Sequence, residues 1–195
     1  MVVPLVRAIA TAAAGATCLS SILLLDLRYV DHPDLLEHGV FDEAAHLLTA
    51  GMIAIALGAI RVPVRVAALL LGSIAIDIDH IPLILGMTDA PAGTSRPESH
   101  SLIPVIVLLL GAALDRRHRA TWSSAALGVA AHLFRDLGTG TVLLGWPVSD
   151  RPIGISYESY IWGAMVLIPA AVCRTMFRHS TSRAPTVSST AAGCT

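Results

Sequence analysis

Val66 to Met87 reads VAALLLGSIAIDIDHIPLILGM: two apolar runs, Val66 to Ile76 and Ile81 to Met87, set around Asp77, Asp79 and His80. The run is long enough to cross a bilayer as a helix, which takes about 20 residues. Ionisable groups at membrane depth cost roughly 2.5 to 3.5 kcal/mol each on insertion scales. Two carboxylates and an imidazole in four residues therefore call for a compensating partner, and a divalent metal ion is the obvious one.

The rest of the chain agrees with a membrane setting. Of 195 residues, 54% are hydrophobic and 14% charged, and the mean hydropathy is +0.70, far from an ordinary soluble domain. The expected fold is all-α: a polytopic membrane bundle of about six helices, forming one domain over residues 1–179, followed by a disordered cytoplasmic tail at 180–195 rich in Ser, Thr and Ala. Within Val2 to Leu25 the apolar part, Ala8 to Leu25, exceeds a signal-peptide core, and Asp26-Leu27-Arg28 is a poor cleavage site, so the stretch reads as a retained first helix. No basic tract with interleaved aromatics points to nucleic acid. Cys18, Cys173 and Cys194 form no CxxC pair, so neither a disulfide framework nor a thiolate zinc site is indicated.

Polar and turn-forming stretches divide the spans. Asp26 to Gly39 reads as a loop, with His32 and His38 as loop residues, and helices follow over Phe41–Ile60 and from Val66. Pro82 disfavours helical geometry at Ile81, which predicts a break at the Asp77–His80 motif. Thr88 to Ser99 reads as a flexible loop, Leu102–Leu114 and Thr121–Leu137 as helices, Gly138 to Ser156 as a second long loop, and Tyr157–Cys173 as the last span. Tyr157 and Tyr160 suit a headgroup interface. All 13 basic residues are arginine. Nine of them fall on one side of this layout and four on the other, which places both termini in the cytoplasm. His118 and His179, among those arginines, read as solvated.

Helix rise then places the remaining titratable groups. Counting ~1.5 Å per residue from the arginine turns brings His46, Asp77, His80, His100, His132 and Asp136 to one level, roughly 18 to 25 Å away and near the non-cytoplasmic headgroups. His132 and Asp136 are four apart and share a face, as Asp77 and His80 do at three, whereas Asp79 points elsewhere unless the helix breaks. Asp42 and Glu43 lie a turn before His46 and can orient it, ligate, or act as base. The expected metal ligands are His46, Asp79, His80, His100, His132 and Asp136, with Asp77 and Glu43 as candidate proton acceptors. Imidazole and carboxylate without thiolate suit zinc, with manganese or iron as alternatives, and one or two ions. Arg96 and Arg135 are candidates to hold a phosphate through a planar fork.

These residues also carry a resemblance. Ala45-His46-Leu47-Leu48, Asp77-Ile78-Asp79-His80, Arg96 to Leu102 and His132 to Pro147 resemble the ordered blocks of the YdjM-type (DUF457) family of inner-membrane proteins regarded as metal-dependent hydrolases. That family's pattern runs from an early helical His through PDxDH and HRGxTHSL to HxxxDxxTxxG near WP. Arg96, Ser99-His100-Ser101-Leu102, His132, Asp136, Gly138-Thr139-Gly140 and Trp146-Pro147 match it. Ile76 replaces the motif proline, and Ser95 stands in place of the first His of the third block. The family is similar, more remotely, to the zinc-dependent phospholipase C and P1 nuclease group, a likeness that implies phosphoester hydrolysis. The reading is a membrane metal-dependent hydrolase whose partners are membrane lipid and a lipid or small phosphoester substrate, with its site toward the non-cytoplasmic face. A transporter or a metal-binding membrane protein without hydrolytic chemistry would use the same residue types, as would a metal that only ties helices together.

Overall fold

A computed structural model describes residues 2–31, 35–85, 87, 91, 93–94 and 96–181. In chain order these form helices α1 (Val2–Asp31), α2 (Leu35–Leu57), α3 (Pro63–Ile74), α4 (His80–Ile84), α5 (Leu102–Leu114), α6 (Arg119–Thr139) and α7 (Tyr157–Thr181), with 3-10 turns at Ala59–Arg61 and Ala75–Asp79. The chain is all-α, and no strand occurs among the described residues.

Among the described residues three helices contain stretches long and apolar enough to cross a membrane, Val3–Arg28, Gly39–Leu57 and Tyr157–Phe177. They turn leucine, isoleucine and valine side chains outward, as a helix facing lipid does: Leu24 is 63% exposed and Val166 64%. The other helices do not meet the same measure singly. Helix α5 has 13 residues, a rise of about 20 Å against a hydrocarbon core of about 30 Å. Helix α6 has 21 residues, but it is the central helix, packed by α2, α3, α5 and α7.

Glycine decides how closely that centre packs. A Cβ at Gly128 of α6 would collide with the Leu69 carbonyl of α3, and one at Gly72 of α3 with the Ala125 carbonyl of α6. The two backbones therefore touch directly, the small-residue contact by which membrane helices gain van der Waals packing. Ile76, Val129 and Leu133 seal this contact together with Val105 and Leu108 of α5. A second apolar cluster, Ile22, Met52, Tyr160 and Ala164, joins α1, α2 and α7.

Three boundaries differ from expectation. The stretch expected as a loop from Asp26 to Gly39 is helical on both sides of residues 32–34, which lie outside the described residues with His32. Asp26 is polar because Arg135 and Tyr157 bind it, so its charge marks a tertiary ion pair and no turn. The helical break comes earlier than Pro82, as the 3-10 turn over Ala75–Asp79. Pro82 sits in the first turn of α4, where a missing N–H costs nothing. Helix α7 continues past Cys173 to Thr181, with Arg174 beyond the expected end. Of the expected tail, residues 182–195 lie outside the described residues, as do Ser95 and the side chains of His38 and His179.

The two long loops are joined. The Thr94 hydroxyl donates to the Thr141 carbonyl, and the Thr141 hydroxyl donates to the Gly93 carbonyl at 2.8 Å. Paired backbone hydrogen bonds of 2.9 Å link Val142 and Ile153, and the Leu102 amide donates to the Leu144 carbonyl at 3.1 Å. The start of α5 is thereby fixed against the second loop, and the Ser101 hydroxyl caps it by accepting from the Ile103 amide.

Candidate metal centre

The close α3–α6 contact places the first ligand candidate. One turn beyond Gly128, His132 reaches across to α3, and its Nδ1 lies 2.7 Å from the Ser73 carbonyl. A carbonyl only accepts, so Nδ1 carries a proton and donates, which turns Nε2 toward the site. That nitrogen faces Asp136 Oδ2 at 3.0 Å, His100 Nε2 at 3.3 Å and Asp77 Oδ1 at 3.4 Å. Carboxylate oxygens and imidazole nitrogens thus converge in a buried space, a donor set that suits a divalent cation. Fixing a ligand ring by a backbone carbonyl is also how metal-binding histidines are oriented.

The 3-10 turn places the second set. With three residues per turn, Asp77 and His80 eclipse, and His80 Nδ1 lies 3.1 Å from oxygens of both Asp77 and Asp79. Asp79, which a regular helix would direct away, is brought to His100 Nδ1 at 3.1 Å and accepts from the Ser99 hydroxyl. The other ring nitrogen of His100 lies 3.0 Å from Asp77 Oδ1. His46 on α2 stacks on His132, with ring centroids 3.7 Å apart and 7° between planes. His46 Nε2 is 3.5 Å from Asp136 Oδ1.

Two groups of potential ligands result: Asp77, Asp79, His80 and His100, and beside them His46, His132 and Asp136. Within each group, one donor atom per residue lies within 4.8 Å of every other. His100 Nε2 at 3.6 Å from Asp136 Oδ2 joins the two. His46, His100, His132 and Asp136 are at most 1% exposed. Neither ring nitrogen of His46 or His80 makes a hydrogen bond among the described residues. Buried, unbonded imidazole nitrogens beside carboxylates are the donor set a divalent ion requires, so these residues fit a metal. The structure thus gathers every ligand candidate and Asp77 into one place. Glu43 stands beside them, interacting with Asp77 and His80.

The two arginines separate. Arg96 Nη2 lies 2.7 Å from Asp136 Oδ1 and 3.6 Å from Asp42 Oδ2, at the edge of the ligand groups. Arg135 is 1% exposed, and its guanidinium is bound by Asp26 at 2.6 and 3.3 Å and by Asp42 at 3.1 Å. The Tyr157 hydroxyl donates to the same Asp26 at 2.5 Å. Arg135 is held in a network joining α1, α2, α6 and α7, with its fork occupied by carboxylates. Sequence reasoning missed Asp26, Tyr157, Ser73 and the bond from Ser99. An acidic residue next to the apolar run Ile22–Leu25 was the available signal for Asp26; a backbone carbonyl such as that of Ser73 leaves none.

At the opposite end of the helices His118 is exposed, as expected, and its Nδ1 lies 2.8 Å from Asp115. Hydrogen bonds from His118 and Trp122 hold the Asp115 carboxyl below the usual carboxylate range.

No curated protein and no solved structure matches this chain. The family model described as YdjM inner membrane protein matches residues 42–194, which includes every residue of both ligand groups. With buried histidine and aspartate groups able to hold a metal ion inside a membrane bundle, the chain belongs to the YdjM inner membrane protein family.

Proposed function

We propose that this protein is a membrane-bound metal-dependent hydrolase, with zinc as the resident metal, acting on a phosphoester of a lipid or amphipathic substrate at the non-cytoplasmic face. The observation that carries the reading is the set of imidazole nitrogens and carboxylate oxygens meeting beside α6, the 3-10 turn and the start of α5, with His132 Nε2 within 3.4 Å of Asp136 and Asp77 oxygens. His46, Asp79, His80, His100, His132 and Asp136 would hold the divalent ion, which when bound would acidify a water and polarise a phosphoryl oxygen. Asp77, partly exposed beside Glu43, would accept the proton of the attacking water, with Glu43 as a second acceptor. Arg96 holds the phosphate at the rim by its planar fork, exchanging its present carboxylate partners for phosphate oxygens.

Transport gets less support. Between the ligands and the far end of α2, α3 and α6, no buried ionisable side chain occurs among the described residues, and positions such as Ala54, Ala56, Leu69, Ala126 and Val129 are apolar.

The test is metal analysis of the purified protein together with a phospholipid and phosphoester activity screen. His132→Ala and Asp136→Ala are expected to lose both metal and activity. Asp77→Asn is expected to lose turnover while keeping most of its metal. Full metal content in both ligand variants would refute the site; metal binding without turnover on any phosphoester would refute the hydrolase. For orientation, a cysteine at Val148, which is 95% exposed, should react with an impermeant thiol reagent outside intact cells, and one at His118 only after permeabilisation. The reverse pattern would exclude an outer-face substrate.

A further inference from the structure

At the end of the bundle away from the ligand groups lies an open cavity of about 560 Å³. Its walls include Arg61, Arg65, Arg174, Ser123 and Ser124, and none of the described residues lining it is acidic. Leu57 and Ser124, which also line it, lie roughly 16 Å and 12 Å along their helices from His46 and His132, so it is separate from the metal centre. We propose that this cavity is a binding site for a phosphate-bearing anion, the headgroup phosphate of an anionic phospholipid or a free phosphate compound.

Three features distinguish it from arginines that merely mark the water side of a membrane. Such arginines need only reach water, whereas these come from three separate segments and converge. Arg61 ends the 3-10 turn after α2, Arg65 lies in the first turn of α3, and Arg174 lies in the later turns of α7. Gathering three like charges with no carboxylate in the wall is unfavourable until an anion enters.

The second feature is a built support for one of the three. Gly58 has φ 62°, a left-handed conformation that favours glycine. A Cβ there would meet Arg174 Nε at 3.1 Å and Cζ at 3.4 Å. The guanidinium of Arg174 thus lies against the Gly58 backbone, which orients its fork. The third feature is the wall itself: Val62 and Ala120 belong to the N-terminal ends of α3 and α6, whose amide dipoles favour an anion. Planar forks and serine hydroxyls offer the donors that phosphate oxygens accept.

The full chain is purified in detergent, exposed to an equal mixture of phosphatidylglycerol and phosphatidylcholine, and examined by native mass spectrometry. In parallel, inorganic phosphate is added and thermal stability followed. Preferential retention of phosphatidylglycerol, reduced about tenfold in Arg61→Gln/Arg65→Gln, assigns a lipid headgroup; a tenfold loss corresponds to about 1.4 kcal/mol. Both substituted residues are exposed, so the variant is expected to fold. Stabilisation by inorganic phosphate in the parent alone, without lipid retention, assigns a free phosphate compound. Arg174→Lys keeps the charge and loses the fork, and is expected to bind more weakly than the parent. Equal binding of both lipids with no effect of phosphate, or undiminished binding in the double variant, overturns the proposal. Metal content, read on the same samples, should be unchanged in every variant.

Discussion

Arg135, near one end of the helices, is 1% exposed and lies between Asp26 and Asp42, whereas Arg61 and Arg65, at the other, are exposed beside a cavity with no acid in its wall. The residue type is the same and the physics is opposite. A guanidinium taken out of water must be matched by fixed carboxylates, or it costs several kcal/mol. One left at the surface keeps its hydration and stays available to a mobile anion. The buried arginine therefore serves architecture, joining four helices beside the candidate metal centre, and the exposed ones stay open to water.

That contrast gives its own tests, beginning with the largest effect. Arg135→Ala would leave the largely covered Asp26 without its cation and Asp42 with Arg96 alone, and should cost about 3 kcal/mol, read as a large fall in the midpoint of thermal or denaturant unfolding in detergent. Asp26→Asn combined with Arg135→Met should recover part of that loss. A loss no greater than that of Arg61→Ala would erase the distinction between the two ends.

A smaller effect is expected from Gly128→Ala, which forces α6 away from the Leu69 carbonyl of α3. Overpacking of this kind costs about 1 to 3 kcal/mol. Because His132 reaches Ser73 through the same contact, metal affinity should fall with stability. Unchanged metal affinity would mean that the glycine contact and the ligand geometry are independent.

The smallest effect belongs to the exposed end. Asp115→Asn removes the partner of His118, but both side chains are in water, where such pairs contribute little. No resolvable change in the unfolding midpoint is expected at neutral pH. Since Asp115 is held below its ordinary value, whatever the pair contributes is present above the usual carboxylate range and fades as pH falls through the lowered one. A clear loss of stability at neutral pH would show that this turn is more than a solvated surface.

Much of the architecture was legible before any coordinates. The span Leu102–Leu114 is found with the expected ends, because its boundaries are set locally, by Ser101 as cap and by the polar Asp115 turn. The ligand candidates were legible for a similar reason: His132 and Asp136 share a face by helical spacing alone, and ionisable side chains stand out in apolar runs. The loop expected at Asp26 failed on the same logic. A polar residue near a helix end looks like a turn when its partner cannot be seen, and Arg135 is 109 residues away.

The sequence by itself determined that the chain is a helical membrane protein carrying histidine and aspartate where hydrocarbon would otherwise be, since hydropathy and helical period are properties of single segments. Only the tertiary structure decided which arginine is locked and which is free, that Asp79 turns inward through a 3-10 break, that a Ser73 carbonyl sets the face His132 presents, and that three distant arginines share one cavity. Each of these depends on how closely and at what register separate helices meet. That is settled by backbone contacts such as Gly72 with Ala125, which no single helix contains.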